Sequence, residues 1–285
     1  MTVAKFPLLL WCAVGLAACS STDSAPGPIA ADPSPAKTTP ALAPTPSAAS
    51  EAARAPIDLA GEALKRLGKA YTPAMLATLT DLFIEDTAAT DADLEHLKAL
   101  PKLEMISMAR TKITDAGLAH LKGAPKLKTL LLNGTKITDA GLAHLGEITT
   151  LRAINLGGTQ VEGPGLAKLA ALPDLVTLTL TGLPIDDSAM KDLAAMSHLD
   201  MLVIDETKIT GSGFAKLAAL KQISTLMVHS TEVTDDKIVK LARVASLMEL
   251  SAQDTKVTMI GAKRLKKSLP RCKISYGSLL KPEQL

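Results

Sequence analysis

The chain has 285 residues, of which 47% are hydrophobic and 21% are charged, with 31 Lys and Arg against 29 Asp and Glu. This length allows one large domain or two ordinary ones, each with a substantial core. The formal net charge of +2 is too small to indicate a nucleic-acid-binding protein. An aromatic content of 2% argues against base stacking and against an aromatic-lined cofactor pocket.

Residues 1–18 have the features of a signal peptide. Lys5 supplies a positive charge, and the apolar stretch over residues 6–14 follows it. That stretch is too short to span a bilayer, which needs about 20 apolar residues. The segment ends in Leu16-Ala17-Ala18-Cys19, which resembles the lipobox of bacterial lipoprotein precursors.

This resemblance implies that the peptide is cut before Cys19, whose thiol would carry a diacylglycerol and whose amine would be acylated. Ser20 resembles the default for outer-membrane lipoproteins. We therefore predict a protein of the bacterial cell envelope that is lipid-anchored in the outer membrane. Cleavage would remove Cys12 and leave Cys272 without an intramolecular disulfide partner. The alternative is an ordinary signal peptide in which Cys19 has no special role.

Residues 19–56 are predicted to form a tether behind the lipid. After Cys19 the segment consists largely of Pro, Ala, Ser and Thr. Such a composition cannot bury enough apolar surface to offset the entropy lost on ordering, so we expect a disordered spacer.

Residues 57–78 are more regular. Leu59, Ala63 and Leu64 fall on one helical face, with Gly68 near the end of the pattern. We predict an amphipathic capping helix, because the first unit of a stacked array would otherwise expose its core.

From Leu79 onward the sequence repeats every 24 residues without an insertion or deletion. Eight units cover residues 79–270, and a partial ninth over residues 271–285 is predicted to be a C-terminal cap. The clearest copy is LKTLLLNGTKITDAGLAHLGEITT, residues 127–150.

Each position of this copy has a predicted role. Alternate leucines point inward from a short strand, and the hydroxyl of Thr135 can satisfy backbone groups where the chain leaves the strand. Thr138 is predicted to cap a helix, with Asp139 in the first turn of that helix. Gly141 is predicted to let the helix approach the strand closely.

An LxxLxL segment with a polar turn residue and a period of 20–29 residues resembles the leucine-rich repeat family. The resemblance covers about two thirds of the chain. Its TxITDAGLxHL half is similar to F-box-associated and many bacterial repeat proteins, although Thr stands where Asn usually forms the turn ladder. The resemblance implies an α/β fold, a leucine-rich repeat solenoid with a parallel concave sheet, convex helices and about eight repeats plus caps.

Three histidines recur at one repeat position, but the sequence does not favour a metal site there. The column reads His96, His120, His144, Lys168, Asp192, Lys216, Lys240 and Arg264. Charges of both signs indicate a solvated helix surface. The other histidines, His198 and His229, stand alone, and neither has the Ser or Cys arrangement of a nucleophilic site in the sequence.

No other motif points to catalysis. The recurring aspartates, of which Asp115 and Asp139 are examples, are explained by helix starts better than by calcium. The sequence contains no Walker, HExxH or GxSxG motif. We therefore predict a protein that is not an enzyme, with no catalytic residue, no metal and no cofactor.

Residues between the inward leucines should face outward on the concave side. The central outward column reads Phe83, Ser107, Leu131, Asn155, Thr179, Val203, Met227 and Ser251. The column beside it reads Glu85, Ala109, Asn133, Gly157, Thr181, Asp205, His229 and Gln253. The central column has no formal charge and is expected to expose Phe83, Leu131, Val203 and Met227.

Exposed apolar groups among small polar ones suit a protein-binding surface, because they can be desolvated without stranding charge. We predict partner contacts at Phe83, Leu131, Asn133, Asn155, Val203, Met227 and His229. The alternative is that these residues reflect the strand propensity of Val, Phe and Thr alone.

The predicted function is therefore non-enzymatic binding of an unknown protein by a lipid-anchored solenoid, with no nucleic-acid partner. A glycan ligand, a structural envelope protein without a specific ligand, and an enzyme with its site in the loops are the alternatives.

Overall fold

The structure is a computed structural model that describes residues 55–278 and 281–284. The predicted signal peptide, Cys19 and the tether up to residue 54 lie outside the described residues.

The strands lie at the start of each repeat. Their bounds are Asp81–Phe83 (β1), Met105–Ser107 (β2), Thr129–Leu131 (β3), Ala153–Asn155 (β4), Thr177–Thr179 (β5), Met201–Val203 (β6), Thr225–Met227 (β7), Glu249–Gln253 (β8), Lys273–Ser278 (β9) and Lys281–Gln284 (β10). In the described part they form one sheet whose strand order follows the sequence. Strands β1 to β9 pair in parallel, and β10 pairs antiparallel with β9.

The register of the parallel strands advances by one repeat at each step. Leu130 pairs with Ile106 on one side and with Ile154 on the other, each 24 residues away. Equal repeat positions therefore lie side by side along the sheet, as the gapless period predicts. This arrangement confirms the α/β solenoid with a parallel sheet.

An apolar core lies between the sheet and the helices. In the third repeat, Leu127, Leu130, Leu132 and Ile137 are fully buried. Equivalent leucines and isoleucines in the neighbouring repeats are buried as well. Burial of each such side chain contributes about 2 kcal/mol, and most of it comes from contact with adjacent repeats.

Short helical segments cover the other side of the core. The α-helices are Pro56–Arg66, Pro73–Leu76, Asp91–Leu94, Asp115–His120, Gly141–Gly146, Met190–Leu193, Asp235–Ile238 and Met259–Ser268. The 3₁₀ segments are Leu97–Ala99, Pro164–Ala171, Asp187–Ala189, Phe214–Ala219 and Val239–Arg243. Since 24 residues must also form a strand and two turns, little length remains for the helices, and the tighter 3₁₀ geometry is frequent.

The N-terminal cap differs from the single helix that the sequence pattern indicates. It consists of the helices Pro56–Arg66 and Pro73–Leu76. The chain leaves the first helix at Gly68, where φ is +75°, a left-handed conformation that glycine adopts without strain. Thr72 caps the second helix by accepting a hydrogen bond from the Met75 backbone N–H at 3.3 Å.

The turn after each strand follows the prediction for its threonines. The Thr135 hydroxyl donates to the Leu132 carbonyl at 2.5 Å. Thr87, Thr111, Thr159, Thr207, Thr231 and Thr255 donate to the same relative carbonyl at 2.6–2.8 Å. In the fifth repeat Leu183 occupies the position and is buried instead. A ladder of threonines thus satisfies backbone carbonyls in the turns that follow the C-terminal ends of successive strands.

The recurring aspartates bond to the following repeat. Asp115 Oδ1 accepts from the Thr138 backbone N–H at 2.8 Å, and Asp115 Oδ2 accepts from the Thr138 hydroxyl at 2.6 Å. Asp91 makes the same two contacts with Thr114 at 2.8 and 2.6 Å. Asp139, Asp187 and Asp235 also accept from the next repeat.

The prediction of first-turn aspartates is confirmed for Asp91, Asp115, Asp187 and Asp235. It is wrong for the third repeat, where Thr138 and Asp139 precede the helix Gly141–Gly146 and Ala140 is the N-cap residue. The carboxylates also satisfy backbone donors at the helix start of the next repeat and so couple the two repeats. The predicted role of Gly141 is wrong as well, because Gly141 faces the Asp115 carboxylate and Ile137 rather than the strand.

The fourth repeat has Gly163 at the aspartate position, so it has no carboxylate to offer. The fifth repeat carries Asp186 at the position where six of the eight repeats have a threonine and the fourth has Glu162. Asp186 Oδ1 accepts from the Ser188 backbone N–H at 2.8 Å. The pKa of Asp186 is lowered by its hydrogen bonds with Ser188. This helix start is therefore capped from within its own repeat.

Within residues 55–278 and 281–284, no helix combines the length and hydrophobicity needed to cross a bilayer.

Candidate binding face and a polar cluster

The candidate binding face is the side of the sheet that points away from the helices, the concave side in solenoids of this kind. Its central column carries an exposed aromatic ring, since Phe83 is 43% exposed. Leu131, Asn155 and Met227 are half-buried on the same column. These four predicted contact residues therefore remain accessible along one face.

The prediction that Val203 is exposed on this face is wrong. The relative exposure of Val203 is 8%. Val203 lies between Thr179 and Met227 in the parallel register. At a strand spacing of about 4.8 Å, side chains on both sides cover a short valine. Ser107 and Thr179 are buried in the same column.

The second column runs beside the first at the strand ends. Asn133 and His229, both predicted contact residues, are half-buried there. Ala109 is almost fully covered, at 2% exposure. The second column thus offers polar side chains beside the apolar groups of the first.

Three buried polar atoms of the described residues on this face have no hydrogen-bond partner. They are Glu85 Oε2, Asn133 Oδ1 and Thr179 Oγ1. A buried polar atom without a partner costs about 1–3 kcal/mol. Two of the three can only accept a hydrogen bond, so a ligand that brings donors to this face would relieve that cost.

The N-terminal end of the face is acidic. Asp81 and Glu85 lie two residues on either side of Phe83. Beside them, the Arg110 guanidinium donates to Asp86 at 2.6 and 2.5 Å. That hydrogen bond lowers the pKa of Asp86 and raises the pKa of Arg110. Both side chains are about half exposed, so the ion pair adds little stability.

A polar cluster occupies the C-terminal end of the face. His229 Nδ1 lies 3.3 Å from Asp205 Oδ2, and His229 Nε2 lies 2.6 Å from Ser251 Oγ. Asp205 Oδ1 accepts from the His229 backbone N–H at 2.7 Å. The Ser251 hydroxyl also donates to Gln253 Oε1 at 3.2 Å. A carboxylate, an imidazole and a hydroxyl are therefore linked in one chain of contacts.

Sequence reasoning missed this cluster. Ser230 directly follows His229, but the local sequence lacks the Ser or Cys arrangement of a nucleophilic site, so His229 was interpreted as isolated. Asp205 and His229 share a repeat position 24 residues apart, and Ser251 lies 22 residues further on. The two outward columns could have revealed the cluster. Asp205 and His229 belong to the second column and Ser251 to the central column, and equal positions of adjacent repeats lie about 4.8 Å apart.

The histidine column on the helical side shows no comparable contacts. His96, His120 and His144 are half-buried, and Lys168 and Arg264 in the same column are exposed. Over residues 55–278 and 281–284, no group of three or more His, Cys, Asp or Glu side chains is arranged to hold a metal ion.

Comparisons with known proteins support the fold. Residues 147–170 match the sequence family described as Leucine Rich repeat, whereas no curated protein matches the chain. Internalin C2 from Listeria monocytogenes is similar with a TM-score of 0.59 at 23% identity, over 78% of this chain and 96% of its own. The internalin InlF from the same organism has a TM-score of 0.51 at 21% identity, over 78% of this chain and 70% of its own. Together with the 24-residue parallel register, these similarities show that the chain contains a leucine-rich repeat solenoid.

Proposed function

We propose that the solenoid binds another protein through the candidate binding face, and that a lipid on Cys19 holds it in the outer membrane of a bacterial cell envelope. Solenoids of this architecture use their extended sheet face for recognition. The similarity to internalins points to a protein-interaction module, and no motif of the sequence argues for catalysis as the main role.

The observation that carries this proposal is the composition of the face. Phe83 is exposed beside half-buried Leu131, so apolar area can be removed from water there. Glu85 and Asn133 add buried acceptor oxygens that no described residue satisfies. A partner that inserts an apolar group and donates hydrogen bonds on either side of it would complement both features.

Site-specific photo-crosslinking in intact cells tests the proposal. A benzophenone side chain is placed at Phe83, at Leu131 or at Ile260, a residue of the helix Met259–Ser268 that is 67% exposed. We expect a discrete, protease-sensitive adduct from positions 83 and 131 and none from position 260. Ile260 is the matched control because it is apolar and accessible but lies on the helical side.

The pattern of adducts separates the alternatives. Adducts from position 260 alone would place the interface on the helices and refute the proposal. Absence of adducts at all three positions would favour a structural role without a specific ligand. An adduct that resists protease but is removed by glycosidases would identify a glycan.

A further inference from the structure

We propose that Ser251 is an activated nucleophile, and that Asp205, His229 and Ser251 form a site that hydrolyses neutral esters. The proposal does not depend on partner binding by the rest of the face. A nucleophile, a base within hydrogen-bond reach and a third group that orients the base are the structural requirements for such a site.

Asp205 is placed to orient the imidazole. One carboxylate oxygen is held by the His229 backbone N–H at 2.7 Å, and the other faces His229 Nδ1 at 3.3 Å. An acceptor at Nδ1 favours the tautomer with its proton on that nitrogen. Nε2 is then left with a lone pair, and it lies 2.6 Å from Ser251 Oγ.

The surroundings strengthen these contacts. The side chains of His229 and Asp205 are 19% and 15% exposed, and reduced contact with water increases the strength of their interaction. The three residues stand on or directly after the adjacent strands β6, β7 and β8. Backbone pairing of these strands holds them in one register, so little reorganisation is needed for a reaction.

Residues beside Ser251 indicate the class of substrate. Met227, which is half-buried, is its direct neighbour in the register of β7 and β8. Its accessible part is an apolar surface against which a short acyl chain can lie. The carboxylates of Asp205 and Glu249 disfavour an anionic acyl group by charge repulsion. We therefore expect neutral esters of short apolar acids as substrates.

Gln253 competes with His229 for the hydroxyl proton of Ser251. The Ser251 hydroxyl donates to Gln253 Oε1 at 3.2 Å. Since a hydroxyl has a single proton, that proton must turn to His229 Nε2, which lies closer at 2.6 Å, before the imidazole can accept it.

The reaction balances with water as co-substrate. Ser251 Oγ forms a bond to the ester carbonyl carbon and gives its proton to His229 Nε2. The bond from that carbon to the leaving alcohol oxygen then breaks, and the alcohol takes the proton from Nε2. Water attacks the acyl-serine in the same manner, so an acid is released and the Ser251 hydroxyl is restored.

The test uses the full chain, purified in detergent, with a fluorophosphonate and with p-nitrophenyl butyrate. We expect one phosphonylated residue, Ser251, and a labelling rate that falls by at least about 100-fold in His229→Gln, the usual contribution of a general base. Asp205→Asn should slow labelling as well. Ser251→Ala should abolish labelling and ester hydrolysis while leaving the circular dichroism spectrum unchanged.

Ser107→Ala is the matched control. Ser107 occupies the same repeat position as Ser251, but Glu85 stands where Ser251 has His229. Labelling and hydrolysis should not change in this variant. Absence of labelling, labelling at another serine, or an equal rate in His229→Gln would overturn the proposal.

Discussion

The carboxylate of Asp115 occupies the space in which a side chain on Gly141, one repeat later, would begin. An ideal Cβ on Gly141 would overlap Asp115 Oδ1 and would lie 3.0 Å from Asp115 Cγ. Gly117 stands in the same relation to Asp91, and Gly261 to Asp235. The glycine thus leaves space for the aspartate of the preceding repeat, which caps the helix start of the repeat that contains the glycine.

This relationship predicts a large difference between two neighbouring substitutions. Gly141→Val would displace the Asp115 carboxylate from its bonds with Thr138 and overpack a buried site. We expect a loss of about 1–3 kcal/mol in the free energy of unfolding from the overpacking alone. Lys136→Ala changes an exposed residue five positions earlier. This substitution should alter the free energy of unfolding by less than about 0.5 kcal/mol. Equal thermal midpoints for the two variants would show that the aspartate–glycine contact is not what stabilises the array.

The same capping contacts predict a pH-dependent effect at Asp187. Burial alone would raise the pKa of Asp187, but hydrogen bonds from the Thr210 hydroxyl and from the backbone N–H groups of Gly213, Thr210 and Gly211 outweigh burial and lower the pKa. A carboxyl with a lowered pKa stabilises the fold at pH values above its unfolded pKa of about 3.9. That stabilisation is lost as the pH falls through the folded-state pKa.

We therefore expect Asp187→Asn to lower the free energy of unfolding by about 1 kcal/mol at pH 7, as for other helix caps. The difference from the unmodified protein should narrow as the pH is lowered from 7 to 3 in urea titrations. Asp174→Asn is the control, because Asp174 only faces Arg152 at 3.6 Å on the exposed surface. A deficit in Asp187→Asn that stays constant over this pH range would rule out the charged carboxylate as its source.

The repeat period predicted the sheet register, the buried leucines and the threonine ladder, because each depends on contacts within one unit or between equal positions of adjacent units. The aspartate contacts were not predicted. A helix-start aspartate that caps its own helix and one that caps the next helix have the same sequence pattern, and only the offset between stacked repeats distinguishes them.

The binding face was predicted less well than the core. Alternation places Val203 on the correct side of the strand, but it cannot show that Thr179 and Met227 cover it. The link from His229 to Ser251 was missed for a related reason, since it joins different positions of adjacent repeats. Exposure and contacts on this face depend on side-chain size in neighbouring repeats, which a reading of one unit at a time does not consider.

Cys272 should be unreactive in the folded protein. It is fully buried, and burial raises its pKa to about 11. At pH 8 about 0.1% of this thiol would be thiolate, against about a quarter for a free thiol with a pKa near 8.5. In a Cys12→Ser/Cys19→Ser variant, which retains only Cys272, we expect Ellman's reagent to react at least about 100-fold more slowly in buffer than in 6 M guanidinium chloride, the ratio set by these thiolate fractions. Comparable rates would mean that the C-terminal cap opens readily.

Membrane attachment should depend on one cysteine of the N-terminal segment and not on the other. Cys12 and Cys19 lie seven residues apart, but only Cys19 follows the Leu-Ala-Ala motif that resembles a lipobox. Stable anchoring requires more than a single acyl chain, and the proposed diacylglycerol together with an acylated amine would supply it. We expect Cys19→Ala to accumulate as an uncleaved precursor that incorporates no labelled palmitate, whereas Cys12→Ala should be processed, labelled and recovered with the outer membrane after washing in high salt. Incorporation of palmitate into Cys19→Ala, or its loss from Cys12→Ala, would refute the assignment of Cys19 as the lipidated residue.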